Sequence, residues 1–173
     1  MSIRKISLTA ALFILVYILQ EAFITQLRIA DGGFSLFLIF TLLGAALSSP
    51  NVGALTGFAA GFLIDLSQST AGAFGQWTLV LILVGFGISY FGLGYENVRL
   101  NPFTITFLVT ISVVLARVLY ILLSLMLGED LGTFSSIATS LFIGLLWSAA
   151  FVPIAMPVVA RAYDFINDTR SRL

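Results

Sequence analysis

Three ionisable side chains fall inside otherwise apolar stretches of this 173-residue sequence: Glu21, Asp65 and Arg117. An arginine at mid-span costs roughly 3 kcal/mol on membrane-insertion scales, so such a residue faces the protein interior and seeks an acid. Glu21 and Asp65 lie at suitable depths, and the sequence predicts an internal ion pair between Arg117 and one of them that fixes helix order. The same chemistry also suits a substrate or proton pathway, or a charge turned toward a partner. Asp65 has a further use. Near the water interface a carboxylate stays hydrated or caps the next helix.

Asp65 also closes the pattern Gly53-x-x-x-Gly57-x-x-x-Gly61-x-x-x-Asp65. A spacing of four keeps these residues on one helical face, where small side chains let two backbones approach and gain dispersion contacts. The expected use is a packing seam within the chain, with Gly44, Ala45 and Ala46 as the facing small surface. The alternatives are a docking face for a partner's transmembrane helix, or a lining that leaves room for a ligand.

Other chemistries are absent from the sequence. There is no cysteine, which excludes disulfides and thiolate sites, and no histidine, the commonest general base and metal ligand. No phosphate-binding glycine loop, HExxH, Ser-x-x-Lys or paired-carboxylate helix occurs. The expectation is a protein that is not an enzyme and needs no cofactor or metal. Eight basic residues balance eight acidic ones, which gives no sign of nucleic-acid binding.

The elements that position these residues follow from composition. With 60% hydrophobic and 9% charged residues and a mean hydropathy of +1.11, the chain belongs in lipid. It reads as an all-α polytopic transmembrane bundle of about six helices, residues 1–173 forming a single transmembrane domain. The spans run over about Ile6–Leu27, Phe34–Leu47, Val52–Leu66 and Phe74–Phe91, then from just after Asn101-Pro102 to Leu127, and over Ile137–Ala160. Spans two and three are short and hinge at Pro50, so they either cross or form a re-entrant hairpin. Met1–Gln20 resembles a signal peptide but lacks a small-x-small cleavage site, and is expected to be an uncleaved first span. If the spans alternate, Arg4, Lys5, Arg99, Arg161, Arg170 and Arg172 share one side and Arg28 lies opposite, which makes both termini cytoplasmic. Trp147, in the middle of span six, needs a packing partner. Pro153 and Pro157 should kink or loosen the same span.

The stretch Gly57-Phe58-Ala59-Ala60-Gly61-Phe62-Leu63-Ile64-Asp65-Leu66, followed by Gly72 and Gly75, resembles the rod shape-determining protein MreD family. Members carry a small-residue helix ending in an acid-leucine step, a polar segment, and a glycine before the next span. The resemblance implies a non-enzymatic multi-pass component of the bacterial cytoplasmic membrane. Such a protein partners the bitopic MreC and through it MreB, RodA and a penicillin-binding transpeptidase, and supports lateral peptidoglycan synthesis and cell shape. It makes Gly57, Gly61 and Asp65 the positions where a structural or partner role is expected. An alternative of another class is also open: a six-helix chain of this size resembles the substrate-binding subunits of energy-coupling-factor transporters. A pocket would then open outward, lined by Asp65, Gln68, Gln76 and either Glu21 or Arg117.

Overall fold

The computed structural model of the chain describes residues 13–25, 35–67, 72–94 and 102–168. Among these residues there are six helices and no strand. Helix α1 covers residues 13–25 and widens to π-helical winding over Gln20–Thr25. The others are α2 (Leu36–Ala46), α3 (Pro50–Asp65), α4 (Gln76–Gly94), α5 (Pro102–Met126) and α6 (Phe134–Asp168). Two apolar stretches are long enough to cross a membrane: Phe103–Met126 in α5 and Phe134–Arg161 in α6. Arg4, Lys5, Arg28, Gln68, Arg99, Arg170 and Arg172 lie outside the described residues.

The helix boundaries have local causes. Ser35, in extended conformation, caps α2 by accepting from Leu38 N. Pro50 occupies the first turn of α3, where its missing N–H costs nothing and its fixed φ suits the helix. Helix α5 ends in a Schellman turn: Glu129 N donates to Ser124 O at 3.0 Å and Gly128 N to Leu125 O at 3.1 Å. That turn requires a left-handed residue, and Gly128 supplies it at φ 77°. Thr133 opens α6, its carbonyl and hydroxyl accepting from Ile137 N and Ser136 N.

The core is built around α2. Eight of its eleven residues are buried, and it packs against all five other described helices. An 11-residue apolar helix has no polar face to solvate, so burial on every side is its stable arrangement. Its one buried hydroxyl, on Thr41, donates to Phe37 O at 2.8 Å. Edge-to-face contacts from Phe13 and Tyr17 to Phe37 tie α1 to it.

Helices α3 and α4 run antiparallel in close contact, Gly53 lying beside Gly85 and Ser89, and Gly61 beside Trp77 and Thr78. The turn between α2 and α3 comes level with the last turn of α4. There Ser89 Oγ donates to Ala45 O at 2.6 Å, and Gly92 abuts the Ala46 carbonyl. Helix α3 therefore lies along most of the length of α4. Helix α6 runs further than the expected span, to Asp168, because Arg161 ends an apolar stretch without ending helical propensity. Trp147 finds its ring contact on its own helix, 5.7 Å from Phe151.

The outer surface is unusually apolar. Phe58, Phe62, Leu83, Phe86, Phe103, Phe107 and Phe134 are all exposed, many large apolar side chains for a water-facing surface to carry.

Candidate functional site

Two features bring the sequence-predicted residues together: the glycine seam between α3 and α4, and a polar layer at the end of the bundle where α3 stops and α4 begins.

The seam faces a partner different from the one expected. A methyl group added at Gly44 would meet nothing within 4 Å, whereas Gly53, Gly57 and Gly61 all abut α4. A methyl on Gly57 would overlap the Leu81 carbonyl, and one on Gly61 would overlap the Thr78 Cα. A methyl on Gly53 would lie 2.6 Å from the Gly85 carbonyl oxygen, and one on Gly85 2.6 Å from that of Gly53. The small surface of α2 (Ala45 and Ala46) packs instead on the C-terminal half of α4, at Ser89 and Gly92. The physical reason lies in α4, whose Gly85, Ser89 and Gly92 are themselves small residues spaced four and three apart. The sequence spacing identified the close-packing face of α3 but not its neighbour.

Asp65 sits where the seam ends. Its Oδ1 accepts from Trp77 N at 3.1 Å, and its Oδ2 accepts from Thr78 N at 2.9 Å and Thr78 Oγ1 at 2.6 Å. These amides belong to the second and third residues of α4, the two that an N-cap side chain serves. Asp65 therefore caps α4 from another helix, with its carboxylate at the positive end of the helix dipole. One further helix start in this layer borrows an acceptor in the same way, and the approach to α4 gains a second one. Gln20 Oε1 accepts from Leu36 N at 2.8 Å and Phe37 N at 3.4 Å at the head of α2. Glu129 Oε1 accepts from Ala73 N at 2.9 Å and Gln76 Nε2 at 3.1 Å at the approach to α4.

Glu129 reaches that position because the Schellman turn at Gly128 turns the chain back over the end of α5. Its carboxyl is held below the ordinary glutamate range, first by the Ser124 hydroxyl, then against some desolvation by Ala73 N and Gln76. Ser124 Oγ also donates to Gln76 Oε1 at 3.4 Å. Trp77 stacks on Tyr120 with ring centroids 4.4 Å apart, locking α4 to α5 beneath this cluster.

Glu21 joins the layer through Ser67, whose hydroxyl donates to Glu21 Oε1 at 3.1 Å. Arg117 lies one helical turn deeper along α5 than Tyr120, part-buried, with its Nε shielded from solvent. The layer thus collects Glu21, Asp65 and Gln76, with Arg117 just below. Sequence reasoning missed the capping roles of Gln20 and Glu129, which serve amides 16 and 56 residues away. Glu129 and Asp130 follow Gly128 in the sequence, but nothing local marks the target of either. At the start of α6, Thr133, Ser135, Ser136, Thr139, Ser140 and Ile143 line an open hollow of about 330 Å³. Among the described residues no three acidic side chains converge as a metal site would need.

Comparison with protein-family models, with curated proteins and with solved structures finds no match to this chain.

Proposed function

We propose that this chain is a multi-pass protein of the bacterial cytoplasmic membrane. In this reading it acts as a non-enzymatic scaffold or regulatory component of the cell-elongation machinery. Its six helices alternate across the bilayer, both termini are cytoplasmic, and the Asp65 layer faces outward. The partners are a bitopic MreC-like protein and, through it, MreB, RodA and a penicillin-binding transpeptidase.

The observation that carries this reading is the use made of residues 53–65, on which the resemblance to the MreD family rests. The glycines hold α3 against α4, and the acid-leucine step places Asp65 on the first turn of α4. The distinctive residues build a closely packed helical pair and are engaged in holding it together, as the packing role in the resemblance implies. The exposed aromatic and aliphatic surface supports a bilayer setting.

The transporter-subunit alternative asks Asp65, Gln76 and Glu21 to orient a ligand in an outward pocket. Each of these side chains is instead hydrogen-bonded to another part of the chain, which weighs against it. Purification of the tagged chain in mild detergent should recover a bitopic shape protein and wall synthases, and depletion should round rod-shaped cells. Recovery of an ATPase pair with a bound metabolite, or unchanged shape with a nutrient requirement, would favour the transporter reading.

A further inference from the structure

Helix α6 carries two prolines within its continuous helical stretch, Pro153 and Pro157. Proline has no N–H, so the carbonyls four residues earlier, those of Ala149 and Pro153, lose their usual α-helical donors. The two freed oxygens lie one turn apart. At about 100° per residue they emerge between the azimuths of Ala149 and Pro157.

That sector is the outward face of the helix. Ala149, Ala150, Pro153 and Pro157 are exposed, as are Leu146 (52%) and Ile154 (65%) beside them. The opposite side of α6, with Ser148 and Val152, is buried against the rest of the bundle. In the orientation proposed above, Arg161 marks the cytoplasmic interface. Ala149 is then about 18 Å and Pro153 about 12 Å further in along the axis. At that depth water is scarce, and beyond what local tightening of the helix supplies, these acceptors gain most from a donor on a neighbouring helix.

The donor does not come from a second copy of the same surface. A two-fold contact brings a face against itself, and Leu146, Ala149, Ala150, Pro153, Ile154 and Pro157 carry no side-chain donor. Self-association there would set carbonyl against carbonyl. The small side chains at 149 and 150 also leave room for close approach by another backbone.

We propose that this face of α6 receives a transmembrane helix of another polypeptide, one presenting hydroxyl or carboxamide donors one turn apart to the carbonyls of Ala149 and Pro153. The inference rests on the membrane-spanning reading of α6 and not on the elongation role.

The chain has no cysteine, so a single Ser135→Cys substitution in the full chain takes a fluorophore for energy-transfer measurements. The chain is reconstituted in vesicles of phosphatidylethanolamine and phosphatidylglycerol. Two synthetic leucine–alanine helices of about 20 residues serve as probes, identical except that one carries two serines four residues apart near its centre. The serine helix should associate about five- to tenfold more strongly than its host, the gain expected of two interhelical hydrogen bonds in lipid. Pro153→Ala with Pro157→Ala restores both N–H groups and should make the two probes equal. Ala150→Leu keeps the prolines but blocks close approach, and should weaken the serine helix toward the level of the host.

Equal binding of both probes to the wild-type chain overturns the proposal, as does a serine preference that survives the double proline substitution. Self-association of the labelled chain that displaces the serine helix would also overturn it, in favour of a second copy. Failure of the chain to insert at all would instead refute the membrane reading beneath it.

Discussion

Substitution of Gly57 by alanine tests the seam directly. The added methyl would overlap the Leu81 carbonyl oxygen and lie 2.7 Å from the Leu81 carbonyl carbon and 3.2 Å from Ile82 N. All three neighbours are backbone atoms, so no side chain can swing aside. Moving the carbonyl carbon from 2.7 Å to the 3.4 Å where ordinary contact begins opens α3 from α4 by at least about 0.7 Å. A gap of that size forfeits about a quarter to a half of each dispersion contact along the interface. Overpacking of a well-fitted site costs about 1–3 kcal/mol, and Gly57→Ala belongs at the upper end because the obstruction is rigid. Gly44→Ala provides the contrast. A methyl there meets nothing within 4 Å, so the better helix propensity of alanine should stabilise by up to about 1 kcal/mol. Both variants can be unfolded by graded SDS in mixed micelles, with Trp77 fluorescence reporting its stack on Tyr120. If Gly57→Ala proves as stable as Gly44→Ala, the close approach of α3 and α4 is refuted.

Three further outcomes are expected. Asp65→Ala should cost about 1–2 kcal/mol through loss of the α4 cap, with faster amide exchange confined to Trp77, Thr78 and the turn that follows; Asp65→Asn should cost less. The Glu129 carboxyl has a lowered pKa in the folded chain, so its contribution is complete above the ordinary glutamate range and lost as pH falls through the lowered folded value. The protection of the Ala73 amide, taken relative to its intrinsic exchange rate at each pH, should therefore fall on acidification below the ordinary range, and Glu129→Gln should remove that change in protection. Arg117→Leu should be tolerated better when combined with Glu21→Gln or Asp65→Asn, whichever acid is its partner. Additive losses in both double mutants would refute an ion pair with either.

Much of the helical layout was legible because apolar runs and prolines carry it locally. Pro102 sets the start of α5, as expected, whereas α3 begins at Pro50, two residues before the expected Val52, because the proline serves as a first-turn residue and not as a hinge outside the helix. The far end of α6 was not legible from hydropathy, since Arg161 limits an apolar span and not a helix. The glycine spacing gave the close-packing face of α3 by periodicity alone. Its neighbour depended on which helix offered a complementary small surface, and Gly85, Ser89 and Gly92 offered it from α4. Asp65 could be read as a cap from its place at a helix end. Gln20 and Glu129 could not, because their amides are distant in sequence and only the assembled bundle brings them within reach.

The position of α2 bears on how the protein is made. It leaves the ribosome ahead of α3 to α6, is 11 residues long, and is covered by five neighbours in the finished bundle. At about 16 Å it is too short to hold a transmembrane position by its own hydrophobicity. Two of its covering helices, α5 and α6, are synthesised well after it. If the chain is inserted as the proposed multi-pass protein, α2 depends until then on its earlier neighbours and on the insertion machinery, so release from the translocon should be late and concerted, with chains truncated before Pro102 retained there or degraded.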